Sequence, residues 1–176
     1  MNTVFIEVQD VVRRKLNTVM DGVDIKDIVA HEPQLHCTVL CGLNTTNVFE
    51  VAQRINFEPF ILSYGSVSYF TASDARPSDV LKVDVVGSGL HALRTNLEIL
   101  PHKTNFVEYA PHVTLSYIRP GTGLGYVGNE INEEHLVTQV VFATDTEQYV
   151  LTNKGEIIER RACIRTKIEP SYRRSL

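Results

Sequence analysis

The sequence has no tryptophan, few cysteines and no excess of positive charge. Its three cysteines, Cys37, Cys41 and Cys163, are odd in number and lack Cys-x-x-Cys spacing, which argues against a disulfide framework or a cysteine zinc site. They are typical of reduced thiols, so we expect a cytoplasmic protein. The formal net charge of −4 disfavours binding to long nucleic acid, but a small anionic ligand needs only a few local cations.

Long apolar segments are absent too. No stretch approaches the roughly 20 apolar residues of a membrane span, and the polar Glu7, Gln9 and Asp10 interrupt the start of the chain in a way that signal peptides do not. The hydrophobic share of 43% and the charged share of 22% are ordinary for a globular protein. A chain of 176 residues fits one domain and can bury an adequate core without a staple.

Hydrophobic periodicity predicts an α+β domain. The predicted strands cover residues 3–8, 35–42, 60–71, 80–86, 112–118, 138–143, 148–152 and 156–168. Helices are predicted after three N-cap positions, at Asp10, at Asn44-Thr45-Thr46 and at Ser88. A strand and a helix precede each of two similar histidine-bearing strands, which indicates two related lobes without a linker. Residues 169–176 are expected to form a frayed basic tail.

Two segments share one motif. His36-Cys37-Thr38-Val39 and His112-Val113-Thr114-Leu115 are both His-x-Thr followed by an apolar residue, 112 − 36 = 76 residues apart. Chance alone would produce roughly 0.8 His-x-Ser/Thr triplets in a chain of this composition. A third copy, His102-Lys103-Thr104, has no apolar strand around it, and we interpret it as the accidental one.

Alternation along a strand places the histidine and the threonine of each motif on one face, with Leu40 and Ser116 continuing those faces. In-line displacement at phosphorus needs a base on the attacking oxygen and an acid on the leaving oxygen, on opposite sides of the phosphate. Imidazole can serve in either role near neutral pH, and hydroxyl groups can hold the non-bridging oxygens. The motifs therefore predict His36, Thr38, His112 and Thr114 as catalytic residues that need no metal.

These motifs resemble the signature of the 2H phosphoesterase superfamily. The stretch from Ala110-Pro111-His112 to Gly121-Thr122-Gly123 most resembles the bacteriophage anti-CBASS phosphodiesterases, which destroy cyclic oligonucleotide signals of the host. The resemblance implies one domain over residues 1–176, with two pseudo-symmetric lobes of antiparallel sheet, helices outside and a central cleft. It also implies a small cyclic oligonucleotide substrate, no cofactor, and a place in the host cytosol if a phage encodes the chain.

Four further residues are candidates for substrate binding. Tyr126 lies in a glycine-rich loop after the second motif and could stack a base, or pack on its own loop. Arg119 ends the second motif strand and could meet a phosphate, or be solvated only. The resemblance also implies an acidic and an aromatic residue near the C-terminus, for which Glu147 and Tyr149 are the candidates because the chain has no tryptophan.

Other chemistries fit less well. His31 and Glu32 with His36 lack the one-turn spacing of a zinc helix, and Pro33 interrupts them. The glycine-rich loop lacks the Gly-Lys-Ser/Thr ending of a phosphate-binding loop, which argues against nucleoside triphosphate hydrolysis. Two alternatives stay open: a phosphodiesterase acting on 2',5'-linkages or RNA 2',3'-cyclic ends, of the 2'-5' RNA ligase type, and a non-catalytic sponge for cyclic nucleotides.

Overall fold

The computed structural model describes residues 2–74, 76–103 and 108–162. Within them the chain forms, in order, β1 (Asn2–Glu7), α1 (Asp10–Asp21), β2 (Ile28–His31), β3 (His36–Leu43), α2 (Val48–Ala52), β4 (Phe60–Phe70), β5 (Asp79–Gly87), α3 (Leu90–Leu97), β6 (His112–Ile118), a 3-10 turn (Gly123–Tyr126), β7 (Glu130–Val137), β8 (Gln139–Ala143), β9 (Glu147–Thr152) and β10 (Ile157–Ala162).

The strands form one antiparallel sheet in the order β10-β9-β8-β1-β3-β6-β5-β4-β7, and β2 lies on the C-terminal half of β6. The two central strands, β3 and β6, are paired only at Cys37 and Val113, close to the N-terminus of each. The sheet is therefore two half-sheets that meet where the histidine-bearing strands begin. We call β10, β9, β8, β1 and β3 the first lobe, and β2, β6, β5, β4 and β7 the second lobe. The predicted α+β class with two lobes is confirmed.

The two central strands carry a bulge at equivalent positions. In β3, Thr38 and Leu40 pair with adjacent residues of β1, so Val39 stands outside the ladder. In β6, Leu115 is left out in the same way against β5. A bulge redirects the side chains that follow it, and here Leu40 and Ser116 are fully buried. The prediction that these two residues continue the faces of the motif was wrong for this reason.

Two helices pack against the lobe to which they do not belong: α1, which follows β1 of the first lobe, and α3, which follows β5 of the second lobe. The apolar face of α1, with Val12 and Leu16 buried, lies against β6 and β7. The face of α3, with Leu90, Leu93 and Leu97 buried, lies against β3. This exchange covers one side of both half-sheets with helices and leaves the other side open as a cleft. Within the described ranges, every helix falls short of the length and apolar character that a membrane crossing demands.

Two strands, β2 and β7, were not predicted. β2 has only four residues, too few for a period to be recognised. β7 does alternate, with Ile131, His135 and Val137 buried, but most of its other positions are charged or polar, and those residues hide the pattern. The strand predicted at 156–168 is observed as β10, and its remainder, like the predicted tail at 169–176, lies outside the described residues.

Helix starts differ from the predicted ones by one to three positions. Asp10 is the first residue of α1, and Gln9 holds the N-cap position. Asn47 caps α2 by accepting a hydrogen bond from the Phe49 amide at 3.0 Å, whereas the cap was predicted at residues 44–46. The helix α3 begins after Gly89 and not after Ser88. Several adjacent side chains able to cap compete at such starts, and the local chain path selects one.

Gly155, in the turn between β9 and β10, offers a stability test. Its φ is +77°, and a Cβ there would lie 2.2 Å from the Ala52 carbonyl oxygen, which belongs to the backbone and cannot yield. We expect Gly155→Ala to lower the free energy of unfolding by about 3 kcal/mol or more. Gly121 is the matched control, because its φ is +84° but nothing lies within 4 Å of the added Cβ. Gly121→Ala should cost only about 1 kcal/mol in urea melts; equal losses would contradict the steric argument.

Candidate active site

The two His-x-Thr motifs lie side by side at the junction of the lobes. His36, Thr38, His112 and Thr114 are all half-buried, whereas the Cys37 and Val113 side chains between them are fully buried on the helix side. The Cys37–Val113 pairing fixes the antiparallel register of β3 and β6. Continued by one residue in each direction, that register sets His36 opposite Thr114 and Thr38 opposite His112. The four side chains therefore share the open side of the sheet, which we call the cleft face.

Both histidine rings are held in the same way. His36 Nδ1 lies 2.6 Å from the Gln34 carbonyl oxygen, and His112 Nδ1 lies 2.7 Å from the Ala110 carbonyl oxygen. A carbonyl only accepts, so each Nδ1 carries a proton and donates it. Nε2 of each ring is then the nitrogen that changes protonation state. A neutral ring can accept a proton there and a charged ring can deliver one.

His36 is surrounded by carboxylates and an aromatic ring. Glu7 is its partner across β1, and the Phe5 ring centroid lies 4.7 Å from that of His36. Glu7 Oε1 accepts hydrogen bonds from Gln34 Nε2 at 3.1 Å and from Arg161 Nη1 at 2.8 Å. Burial raises the pKa of the Glu32 carboxyl group, and the positive charge of nearby His36 opposes that shift. Two carboxyl groups, those of Glu7 and Glu32, thus lie close to His36.

His112 has a different electrostatic environment. Asp84 is its partner across β5, and Lys82 is the partner of Thr114. Lys82 is 6% exposed; its Nζ donates to Ser68 Oγ at 2.7 Å and to Asp84. The pKa of His112 is lowered, chiefly by burial and also by the charges of Lys82 and His36, while the Ala110 carbonyl and Asp84 oppose the shift. His112 is therefore biased toward the neutral form.

Lys82 and Asp84 were not among the predicted site residues. Lys82 and Asp84 are the only charged residues inside the otherwise apolar segment 80–86, and they are spaced two apart, so that both lie on one face. Two charged residues on one face of an otherwise apolar strand were the sequence signal that could have identified them as site residues. Phe70 completes this group, since its ring stands at 86° to the His112 ring with centroids 5.0 Å apart, and Lys82 Nζ lies 4.6 Å from the Phe70 centroid.

Surfaces suited to a ligand lie on both sides of the histidines. A cavity of about 1020 Å³ opens next to Glu7, the β1 partner of His36, and its lining includes the polar side chains of Glu7, Arg13, Glu32, Gln34, Gln148 and Arg161. On the cleft face of the second lobe, three exposed apolar side chains form a row beyond Asp84: Ile61, Val86 and Leu136. The junction thus has a polar recess on one side and an apolar shelf on the other.

Arg119 and Tyr126 are brought together, but away from this junction. Both bind Asp27: Arg119 Nη2 lies 2.8 Å from Asp27 Oδ1, and the Tyr126 hydroxyl donates to Asp27 Oδ2 at 2.6 Å. These two bonds lower the pKa of Asp27. Arg119 follows the C-terminus of β6, whereas His112 begins that strand, and seven residues of strand span roughly 20 Å. The cluster ties the glycine-rich loop to the α1–β2 loop.

Glu147 and Tyr149 are also joined to each other. The Glu147 carboxylate accepts hydrogen bonds from the Tyr149 hydroxyl and from Arg160, and both bonds lower its pKa. Alternation in β9 puts these two side chains on one face and Gln148 on the other. It is Gln148 that lines the cavity next to Glu7, where its amide donates to Gln34 Oε1 at 2.9 Å. The predicted residues Glu147 and Tyr149 are thus the immediate chain neighbours of Gln148, the residue that lines the cavity.

The third His-x-Thr copy lies elsewhere. His102 forms an isolated bridge with Leu43, the last residue of β3, and is separated from His36 by the length of that strand. Its Nδ1 also lies near a carbonyl oxygen two residues earlier, that of Leu100, at 2.9 Å. Thr104 lies outside the described residues. Among the residues that the structure describes, no group of three or more histidine, cysteine, aspartate or glutamate side chains is arranged to hold a metal ion.

Comparison with known proteins gives a match by structure alone. No protein-family model and no curated protein sequence matches the chain. A Thermus thermophilus protein, TT0787, superposes with a TM-score of 0.62 at 17% identity, covering 92% of this chain and 96% of that one. Escherichia coli LigT, solved with 3'-AMP, has a TM-score of 0.63 at 13% identity and covers 93% and 98% of the two chains.

Kluyveromyces marxianus Usb1, solved with uridine monophosphate, has a TM-score of 0.51 at 13% identity, over 86% of this chain and 97% of that one. LigT and Usb1 are members of the 2H phosphoesterase superfamily. Nearly the whole of this chain is covered in each comparison, so the likeness extends over both lobes and their junction. The chain has the fold of the 2H phosphoesterases.

Proposed function

We propose that the protein is a phosphodiesterase that cleaves 3'-5' bonds in small cyclic di- or trinucleotides, as an anti-CBASS enzyme would in the cytosol of an infected host. The observation that carries the proposal is the convergence of two His-x-Thr motifs on one cleft face, each with Nδ1 bonded to a backbone carbonyl and Nε2 left to exchange a proton. The 2H phosphoesterase fold supports the same reaction class.

In the proposed reaction, one histidine in its neutral form removes the proton from a ribose 2'-OH. The 2'-oxygen attacks the adjacent phosphorus, the bond to the 5'-oxygen breaks, and the other histidine, protonated, delivers its proton to that oxygen. The products are a 2',3'-cyclic phosphate end and a free 5'-OH. The Thr38 and Thr114 hydroxyl groups donate to the non-bridging oxygens as negative charge develops. Solvent then resets the two histidines.

The surroundings of the junction support a substrate with more than one nucleotide. The cavity next to Glu7 could take one nucleoside, with the hydrogen-bonded pair of Gln34 and Gln148 in its wall. The apolar row of Ile61, Val86 and Leu136 offers a flat surface to a second base on the other side of the phosphate. A mononucleotide would use only one of these surfaces.

A second enzymatic function has support from the comparisons. LigT, a 2'-5' RNA ligase solved with 3'-AMP and with NADP+, supports the alternative of cleavage at a 2',5'-linkage or at an RNA 2',3'-cyclic end. A non-catalytic sponge is disfavoured because binding alone does not require two imidazoles that converge on one cleft face. Ligand released unaltered after denaturation would support the sponge.

A substrate panel separates these functions. The purified protein is incubated in EDTA with cyclic di- and trinucleotides, 2',5'-oligoadenylate and 2',3'-cyclic AMP, and the products are identified by mass. We expect linear products ending in a 2',3'-cyclic phosphate from at least one cyclic oligonucleotide. Preferential cleavage of 2',5'-oligoadenylate or of 2',3'-cyclic AMP would replace the proposal by the alternative.

Activity on the best substrate should survive chelation. The two histidines suffice as acid and base, and the threonine hydroxyl groups and backbone amides hold the phosphate oxygens, so no step requires a divalent ion. We expect kcat/KM in excess EDTA to stay within about twofold of the untreated value, which is near the precision of such rates. Loss of turnover in EDTA that Mg²⁺, Mn²⁺ or Zn²⁺ restores would contradict this mechanism.

A further inference from the structure

The two histidine sites are built on the same backbone frame. In each, the histidine is the first residue of a central strand, a carboxylate residue is its partner on the neighbouring strand, and the bulge follows three positions later. The carboxylate is Glu7 beside His36 and Asp84 beside His112. An aromatic ring stands against each imidazole, Phe5 at 4.7 Å in the first site and Phe70 at 5.0 Å in the second. Two such frames would make the histidines nearly equivalent.

One buried charge breaks the equivalence. The partner of Thr38 across β1 is Phe5, whereas the partner of Thr114 across β5 is Lys82. The Lys82 side chain is only 8% exposed, and Ser68, Asp84 and the face of Phe70 fix the position of its ammonium group. Asp84 compensates this buried charge only in part, because the Asp84 side chain is 53% exposed and its charge is screened by solvent more than that of Lys82.

We propose that Lys82 is a positioning residue that assigns the roles of the two histidines, making His112 the base and leaving His36 as the acid. The inference rests on the proposed phosphodiesterase function and deepens it. Diagonal neighbours on one face of an antiparallel pair lie about 7–8 Å apart, close enough for the Lys82 charge to oppose protonation of His112. Asp84, only partly shielded, acts in the opposite sense on the same ring.

The charges around both rings agree with this assignment. The titratable and charged groups that face His112 are Lys82 and Asp84 from β5 and His36 from β3. Glu7 faces His36 from β1, with Arg161 of β10 bound to it, and Glu32 approaches from the β2–β3 loop. Two carboxyl groups thus lie near His36, and among the described residues a buried lysine is placed only beside His112. This is the asymmetry that acid–base catalysis needs.

The test is a titration of His112 by NMR in the free protein, which requires no substrate. Lys82→Met removes the charge with little change of shape, and we expect the pKa of His112 to rise by roughly half a unit or more. Asp84→Asn should move it the other way, because the carboxylate favours imidazolium. Lys82→Arg keeps the charge and should leave the titration near that of the wild type. Ser68→Ala, which removes one hydrogen bond to Lys82 but no charge, is the matched control.

The kinetic arm uses the pH dependence of kcat/KM. If His112 is the base, its pKa governs the acidic limb, so that limb should move to higher pH in Lys82→Met and to lower pH in Asp84→Asn, with the basic limb unchanged. A purely structural lysine would lower kcat or the melting temperature in Lys82→Met without opposite shifts. Movement of the basic limb, or no movement of the His112 titration in either variant, would overturn the inference. Absence of turnover on every substrate would reject the proposed function, while the NMR titration would still decide the role of Lys82.

Discussion

Replacing either His36 or His112 by alanine should lower kcat by at least about 10²-fold, and the double variant should be little slower than either single variant. Each imidazole transfers one proton in the same displacement, so removal of one already disables the concerted step. The hydroxyl groups of Thr38 and Thr114 would still hold the phosphate, which leaves a small residual rate. Single-turnover kinetics on the best cyclic oligonucleotide measure the effect free of product release.

His102→Ala is the matched control for this experiment. It removes a histidine from the third His-x-Thr copy, which lies at the opposite end of β3 from His36. We expect its kcat to stay within about threefold of the wild-type value. A loss of about 10²-fold in His102→Ala, with activity kept in either of the other two variants, would assign a catalytic role to the third motif and contradict the proposed pair.

The repeated motif predicted which four residues meet, because a period of two along a strand is a strong constraint once one face is buried. Spacing alone did not reveal the bulges at Val39 and Leu115, since an apolar residue in a strand looks the same whether it is paired or not. The bulges decide that Leu40 and Ser116 turn into the core. Backbone irregularity of this kind depends on the partner strand, which the motif does not contain.

The substrate-binding candidates show why nearness in sequence is a poor guide to a site. Arg119 and Tyr126 follow the second motif closely, yet an extended strand of seven residues carries the chain roughly 20 Å from His112. The residues that do flank His112, Lys82 and Asp84, lie about thirty positions earlier and reach it only through the β5–β6 register. A single sequence does not supply that register. Glu147 and Tyr149 were candidates through the family resemblance, and Gln148, which lines the cavity, was not among the predicted residues.

The pH dependence of kcat/KM should be bell-shaped, and its two limbs should be separable by mutation. The reaction needs His112 neutral and His36 protonated, so the rate falls about tenfold per pH unit on the acidic side as His112 gains a proton, and equally on the basic side as His36 loses one. Burial and Lys82 lower the pKa of His112, which moves the acidic limb to lower pH and widens the plateau on that side. We expect the optimum at about pH 6 to 7.5.

Variants are needed to assign each limb to a residue, because the two observed pKa values belong to a coupled pair and do not by themselves identify residues. In His112→Ala the acidic limb should vanish, and in His36→Ala the basic limb should vanish, each against a residual rate lowered by about 10²-fold. The opposite pattern would keep the paired-histidine mechanism but make His36 the base and His112 the acid. It would therefore contradict the role proposed for Lys82. A metal-bound hydroxide would give a rising limb that survives both substitutions. A wild-type profile that is flat from pH 5 to 9 would remove the paired-histidine mechanism altogether. That mechanism needs one neutral and one protonated imidazole, so the rate must fall wherever either group changes its protonation state.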